Sequence, residues 1–259
     1  MISPLVVQGV LAVVCGSAVG FSLALIGGGG SILATPLILY VAGVRDPHVA
    51  IGTSALAVAA NAFANLLPHA RAGHVQWKVA FVFAAAGVLG AYLGSSIGKA
   101  VNGRHLLVLF ALLMLVVAGL MLRGRRNVAT AGFPLPHTGP RVAATGLGAG
   151  MLAGFFGIGG GFLIVPGLML ASGMEIIYAI GTSLFSVGAF ALTTAANYAA
   201  SGLIDWRVAV EFIGGGILGG WLGATLAGRL ARTRGALNLI FAIVIVLVAL
   251  FMLVKSYQA

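Results

Sequence analysis

Long apolar segments, separated by short polar stretches, follow one another along the whole chain. The runs 106–122 and 236–254 contain no charged residue, and each is long enough to cross a hydrocarbon core of about 30 Å as a helix. Uninterrupted apolar segments of this length are typical of transmembrane helices. The pattern therefore predicts an all-α polytopic membrane protein.

The apolar runs divide into two sets of five, which predict about ten helical segments. The segments cover about 5–26, 31–44, 48–67, 76–98 and 105–122 in the first set, and about 142–158, 161–172, 176–199, 206–228 and 235–254 in the second. The second segment of each set is shorter than the usual spanning length of about 17–25 residues. We therefore expect each set to begin with a broken, re-entrant helix hairpin whose tip lies within the membrane. Three transmembrane helices are expected to follow it.

The two sets are related by an internal sequence repeat. The stretch "AIGTSALAVAA" (50–60) recurs as "AIGTSLFSVGA" (179–189), and 19 of 51 positions are identical when 49–99 is aligned with 178–228. A fixed offset over this length indicates duplication of one structural unit. The sequence predicts an N-terminal membrane repeat over 1–126 and a C-terminal membrane repeat over 141–259. The stretch 127–140, with three prolines and two glycines, is predicted to be a cytoplasmic linker.

Charge and composition agree with a membrane location. Only 7% of the residues are charged and 61% are hydrophobic, whereas a soluble domain carries about 25% charged residues. The formal net charge is +10, but the basic residues lie between the apolar segments, where they set membrane orientation and contact anionic lipids. We therefore expect membrane lipids, and no nucleic acid, among the partners.

The distribution of basic residues predicts how the repeats are oriented. A hairpin that returns to its own side, followed by three crossings, turns the second repeat upside down relative to the first. With the linker in the cytoplasm, nine basic residues fall on the cytoplasmic side, and five fall on the other side: Arg45, Lys99, Arg104, Arg207 and Lys255. This asymmetry follows the positive-inside rule. It predicts two inverted-topology repeats with both termini in the periplasm.

Two glycine-rich breaks are the candidate binding site. They are "GGGGSILATP" (27–36) and "GIGGGFLIVP" (157–166), and a new helix is expected to begin after each. The first N–H groups of a helix lack intrahelical partners and carry partial positive charge, so they can hold an anion without a buried lysine. Interrupted helices at the interface of inverted repeats are also typical of secondary transporters. The predicted anion-binding residues of the breaks are Gly27, Gly28, Gly29, Gly30, Ser31, Gly157, Gly159, Gly160 and Gly161.

Hydroxyl and amide side chains within the spans extend this candidate site. The motif "GTS" occurs once in each repeat and contributes Thr53 and Ser54, and Thr182 and Ser183. Such hydroxyls either contact a ligand or bond the carbonyl group one helical turn back. Asn61 and Asn197 are amides in or near spans, for which substrate contact and helix–helix hydrogen bonding are both open. All six are predicted site residues.

Other residues are assigned structural roles. Glycines spaced by three and four, such as Gly87 with Gly90 and Gly216 with Gly219, define a helix face for close packing. Glu211 lies inside a predicted span, and is expected either to pair with Arg207 or to relay protons. We predict no metal site and no cofactor. We also expect no enzymatic activity, because a nucleophile–base pair at membrane depth is not evident in the sequence.

The glycine breaks, the "AIGTS" pair and the repeated "WKVA" and "WRVA" segments resemble the TauE/SafE family of membrane permeases, over nearly the whole chain. The resemblance implies export of a small sulfur-containing anion, sulfite or an organosulfonate such as sulfoacetate, across a bacterial inner membrane. It carries over to Gly27–Ser31, Gly52–Ser54, Gly157–Gly161 and Gly181–Ser183. Ser31 stands where Gly161 stands in the second break, so the two anion-facing ends are not equivalent.

Alternating access is the mechanism that the architecture favours, with a proton or sodium ion as a possible coupling ion and a homo-oligomer as a possible assembly. The alternative is a passive anion channel, or a permease for another small anion, with the same helix-end filter. A channel would show no uphill accumulation of its anion.

Overall fold

The computed structural model describes residues 4–123, 138–230 and 234–258. Its α-helices are α1 (Pro4–Ile26), α2 (Ala34–Tyr40), α3 (Pro47–Arg71), α4 (Trp77–Ala100), α5 (Gly103–Arg123), α6 (Thr138–Phe156), α7 (Gly161–Ser172), α8 (Ile176–Ala199), α9 (Trp206–Leu230) and α10 (Arg234–Gln258). A 3-10 helix over Gly27–Leu33 joins α1 to α2. The prediction of an all-α protein is confirmed.

Local signals explain where the helices begin and end. The Asp46 carboxylate accepts hydrogen bonds from the backbone N–H groups of His48 and Val49, at 2.7 and 3.2 Å, and thereby caps α3. Pro47 is its first residue, where a missing N–H costs no helical hydrogen bond. Gly73, with a φ of 73°, follows the end of α3, as is common after a helix.

Most predicted segments agree with the observed helices within a few residues, but the first hairpin differs. The segment 31–44 was expected to be one α-helix beginning near Ser31. This prediction is wrong, because the chain continues through the glycines as a 3-10 helix and α2 begins only at Ala34. Pro36 is therefore in the first turn of α2, where it breaks no α-helical hydrogen bond.

Four of the described helices are long and apolar enough to cross a membrane. They span Leu5–Leu25, Pro47–Arg71, Trp77–Ala100 and Ile176–Ala199. Three of these belong to the first predicted repeat and one to the second. Most of the predicted linker, 127–137, lies outside the described residues, and its last three residues belong to α6.

Glycine faces hold two pairs of helices in parallel contact. A Cβ on Gly16 or Gly20 of α1 would overlap the carbonyl oxygen of Phe212 or Gly216 of α9. The equivalent overlap relates α6 to α4, where a Cβ on Gly150 would overlap the carbonyl oxygen of Gly87. Residue numbers rise together along each pair, so the helices are parallel. A Cβ on Gly90 would likewise overlap the carbonyl oxygen of Leu147, and a Cβ on Gly219 would overlap that of Ser17, so the close-packing role predicted for Gly90 and Gly219 is confirmed.

Helices α3 and α8 pack against each other in antiparallel orientation. Gly52, near the beginning of α3, contacts Tyr198 near the end of α8, and Gly188 of α8 contacts Phe63 farther along α3. The helices α5 and α10 are also antiparallel, because Arg104 Nε of α5 donates to the carbonyl oxygen of Ser256 at the end of α10, at 2.8 Å. Each of these pairs joins corresponding helices of the two sequence repeats.

Candidate functional site

The second glycine break interrupts the chain between α6 and α7. Gly157, Gly159 and Gly160 have φ values of 69°, 66° and 66°, in the left-handed region that glycine adopts readily. Gly160 is the N-cap residue of α7, and its carbonyl oxygen accepts from the N–H groups of Leu163 and Ile164, at 2.9 and 3.1 Å. The N–H groups of the first residues of α7 precede these bonds and have no intrahelical acceptor.

This break lies within the length of the central helices. Gly159 packs against Val58 and Val187, each of which is the twelfth residue of its helix, α3 or α8. Gly157 packs against Ile51, closer to the beginning of α3. The α7 N-terminus therefore begins near the middle of the bundle, as the re-entrant hairpin interpretation expected.

The first glycine break is wound rather than open. Gly30 packs against Ser22 and Leu23 of α1, so the 3-10 segment folds back along the helix that it follows. The segment contacts α7 and α8, which brings the two breaks together. Ser31 is fully buried there. Because α2 has seven residues and follows a 3-10 helix, the two breaks do not present equivalent helix N-termini.

A pair of buried hydroxyl groups lies beside the second break. Thr35 Oγ1 and Ser54 Oγ are 2.7 Å apart, and Ser54 Oγ lies 2.9 Å from the Ile51 carbonyl oxygen and 3.5 Å from that of Gly157. Both residues are at most 1% exposed. Ser54 was predicted, but Thr35 was not. The sequence signal that could have identified Thr35 is its position as a single hydroxyl residue in an apolar segment, immediately before a proline.

The threonines of the two "GTS" motifs bind backbone groups of the opposite repeat. Thr53 Oγ1 accepts from the N–H of Asp205 at 2.9 Å, and Thr182 Oγ1 accepts from the N–H of Gln76 at 3.0 Å. The glycine before each threonine lets the loop of the opposite repeat approach closely. A Cβ on Gly52 would overlap the carbonyl oxygen of Leu203, and a Cβ on Gly181 would overlap the carbonyl oxygen of His74. We call the first contact, Gly52 and Thr53 with 203–205, clamp A. The second, Gly181 and Thr182 with 74–76, is clamp B.

Two other predicted site residues, Ser183 and Asn61, have different surroundings. Ser183 donates to the carbonyl oxygen of Ile180 in its own helix, at 2.8 Å, whereas its counterpart Ser54 also reaches Thr35. Asn61 is fully buried against Gly216 of α9, and neither atom of its amide group has a hydrogen-bond partner among the described residues. Asn65, one turn farther on, donates to the Asn61 carbonyl oxygen at 2.9 Å.

Asn197 lies near the end of α8, away from the breaks. Its Oδ1 accepts from Lys99 Nζ at 2.7 Å, and its Nδ2 donates to Ser95 Oγ at 2.7 Å and to Ser96 Oγ at 3.0 Å. The sequence did not indicate this cluster, because Lys99 has no basic counterpart in the other repeat. Glu211 forms a salt bridge of 3.0 Å with Arg207 on the same helix, which confirms the predicted pairing.

Sequence comparisons relate the chain to one protein family and to several known proteins. The family described as "Sulfite exporter TauE/SafE" matches residues 12–252. A "Probable membrane transporter protein" of Xylella fastidiosa (strain 9a5c) is 53% identical over 249 residues, which cover 94% of each chain. The "Probable membrane transporter protein YunE" of Bacillus subtilis (strain 168) is 30% identical over 261 residues, or 92% of this chain and 95% of that protein. No solved structure matches the chain.

Proposed function

Because the chain belongs to the TauE/SafE family and is a membrane transporter, we propose that it exports a small sulfur-containing anion. The anion is sulfite or an organosulfonate such as sulfoacetate, and the membrane is a bacterial inner membrane. The observation that carries the proposal is the α7 N-terminus at Gly160 and Gly161, which directly follows Gly159, the residue that packs against Val58 and Val187 near the middle of the bundle.

This helix end has the properties that a small oxyanion requires. The first N–H groups of α7 precede the helical hydrogen bonds, and the helix dipole adds partial positive charge at the same point. Glycine at Gly160 and Gly161 lets an anion approach the backbone closely. An anion held in this way needs no buried lysine or arginine, which would be expensive at this depth.

The hydroxyl pair supplies additional donors next to the same break. Thr35 and Ser54 lie 2.7 Å apart, with the Gly157 carbonyl oxygen 3.5 Å from Ser54. A hydroxyl group can rotate its proton away from a carbonyl oxygen and toward an incoming anion. We propose that these two side chains bind the anion together with the α7 N-terminus, and that Asn61 contacts it during transport.

The arrangement of helices supports alternating access between two inverted repeats. The corresponding helices α3 and α8 are antiparallel, and so are α5 and α10. Such pairs are expected when repeats are related by a twofold axis in the membrane plane. Clamp A lies at the beginning of α3 and clamp B lies near its end. We propose that release of one clamp, while the other stays closed, exposes the anion site to one membrane face at a time.

The membrane potential gives export a driving force. Moving one negative charge out of an inside-negative cell releases about 2.3 kcal/mol per 100 mV. A coupling proton or sodium ion would add to this. The distribution of basic residues supports an orientation with both termini in the periplasm.

Flux measurements in proteoliposomes test the proposal. We expect the uptake of sulfite or sulfoacetate to follow an imposed membrane potential. When a coupling ion is supplied, the proteoliposomes should accumulate the anion against its own electrochemical gradient. Accumulation that never exceeds the electrochemical equilibrium of the anion would instead identify a passive channel. Transport of sulfate or chloride, with sulfite and sulfoacetate excluded, would contradict the proposed substrate.

A further inference from the structure

A groove of about 500 Å³ lies between α4 and α8, outside the glycine breaks. Its lining residues are Tyr92, Leu192, Thr193, Ala196, Asn197 and Ala200. Tyr92 is 57% exposed and Leu192 is 49% exposed, and both helices are long and apolar enough to cross a membrane. The mouth of the groove therefore faces the lipid acyl chains.

A lysine-centred network adjoins this groove through Asn197. Lys99 Nζ donates to the Asn197 carbonyl oxygen at 3.0 Å, to Asn197 Oδ1 at 2.7 Å and to Ser201 Oγ at 2.9 Å. Asn197 is itself a wall residue of the groove. Lys99 is next to the last residue of α4, so its ammonium group lies at the level where a helix leaves the hydrocarbon core and phospholipid headgroups begin.

The charge of Lys99 is solvated by neutral groups alone in this network. All three of its acceptors are carbonyl, amide or hydroxyl oxygens, and the salt bridge within the described residues joins Arg207 to Glu211 instead. A cation beside an apolar groove, held there by the wall residue Asn197, is complementary to an anionic headgroup on an acyl chain. A zwitterionic lipid supplies less net attraction at the same place.

We propose that this groove binds one anionic phospholipid. An acyl chain lies along Tyr92, Leu192 and Ala196, and the phosphate takes the place of Ser201 Oγ as an acceptor for Lys99 Nζ. The second repeat does not reproduce the site, because the positions that correspond to Lys99 and Asn197 are Gly228 and Pro68. The stoichiometry is therefore one lipid per chain. The site is separate from the proposed anion site and does not depend on the transported substrate.

Native mass spectrometry of the full chain in detergent, titrated with dioleoyl phosphatidylglycerol, tests the proposal. We expect one high-affinity lipid, and weaker binding of dioleoyl phosphatidylcholine. Lys99→Gln should weaken phosphatidylglycerol binding about fivefold, the effect of one cation near a membrane surface. The matched control is Lys255→Gln, which removes the same charge from the exposed end of α10 and should leave the affinity unchanged.

A second variant tests the apolar part of the groove without altering the lysine. Ala196→Trp fills the space and should abolish the high-affinity lipid, whereas Ala144→Trp on the exposed surface of α6 should not. Glycerol 3-phosphate, the headgroup without acyl chains, should not displace the lipid at equal concentration. Equal binding of the two lipids by the unmodified chain would overturn the proposal. So would binding that both Lys99→Gln and Ala196→Trp leave intact, or displacement by glycerol 3-phosphate, which would indicate a site for soluble anions.

Discussion

Thr53 Oγ1 accepts a hydrogen bond of 2.9 Å from the backbone N–H of Asp205. The same contact occurs a second time, with Thr182 and Gln76 in the corresponding positions. Each hydroxyl therefore joins a central helix of one repeat to the loop that precedes α4 or α9 of the other repeat. Because the two contacts are at opposite ends of α3 and α8, loss of one should open one membrane face selectively.

Single-cysteine labelling tests this selectivity. Val75 and Ile204 occupy corresponding positions in the two clamp loops, and are 8% and 9% exposed. In a Cys15→Ala background, Thr53→Val should speed maleimide labelling of Ile204→Cys and leave Val75→Cys unchanged. Thr182→Val should do the reverse, because it removes only the acceptor of clamp B. Equal acceleration at both cysteines by either variant would contradict independent clamps.

The glycine contacts between α4 and α6 predict a difference between two nearby substitutions. A Cβ on Gly150 would overlap the Gly87 carbonyl oxygen, whereas a Cβ on Gly148 meets nothing within 4 Å. Gly148→Ala should therefore stabilise the protein by up to about 1 kcal/mol, the helix-propensity difference. Gly150→Ala should destabilise it, because the helices must separate. Chemical denaturation in detergent measures both, and equal effects would show that the close packing is unimportant.

The unpartnered amide of Asn61 predicts a separation of stability from activity. A buried polar group without a hydrogen bond is costly, and replacing it with an apolar group of similar shape is neutral or stabilising. Asn61→Leu should therefore retain or raise the unfolding midpoint and reduce substrate flux in proteoliposomes. The comparison is Asn65→Leu, because the amide of Asn65, unlike that of Asn61, already donates a hydrogen bond, to the Asn61 carbonyl oxygen. Unchanged flux in Asn61→Leu would assign Asn61 to helix packing alone.

The membrane orientation of the described ends can be tested in the same cysteine-free background. Arg104 and Lys255 lie at the same end of the bundle, because Arg104 Nε contacts the Ser256 carbonyl oxygen. Gly103, next to Arg104, packs against Pro47 at the beginning of α3, and Arg71 is the last residue of that helix. Lys255→Cys should react with an impermeant reagent added outside the cell, and Arg71→Cys should not. Labelling of both from the same side would rule out the proposed topology.

Hydrophobic periodicity and the internal repeat predicted most of the fold, because each span is long and each repeat supports the interpretation of the other. The first break was harder to predict. Four consecutive glycines suggested an open chain followed by a helix at Ser31, but packing against α1 winds them into a 3-10 helix that ends at Leu33. Side chains that depend on contacts between helices, such as Thr35 of α2 with Ser54 of α3, could not be paired from sequence. Their partners are set by tertiary packing rather than by local pattern.

The two asparagines of the predicted site show the same limit. Asn61 and Asn197 looked equivalent as amides within or near spans. Within the part of the chain that the structure describes, Asn61 packs against Gly216 without a polar partner, and Asn197 joins Lys99 at the end of α4. The position of a residue along a helix can be counted from the sequence. The residue that its side chain will face in the folded protein cannot be predicted in this way.

The most direct test of the central claim is the backbone amide signal of residue 162 when sulfite is added. Labelling glycine with ¹³C at the carbonyl and phenylalanine with ¹⁵N selects Gly–Phe amides, of which the sequence has four, ending at residues 21, 133, 155 and 162. Assignment by substitution identifies each signal. An anion at the α7 N-terminus should shift the 162 amide in a saturable manner, and leave the 133 amide of the linker unchanged. A 162 amide that does not move at sulfite concentrations that saturate transport would contradict the account.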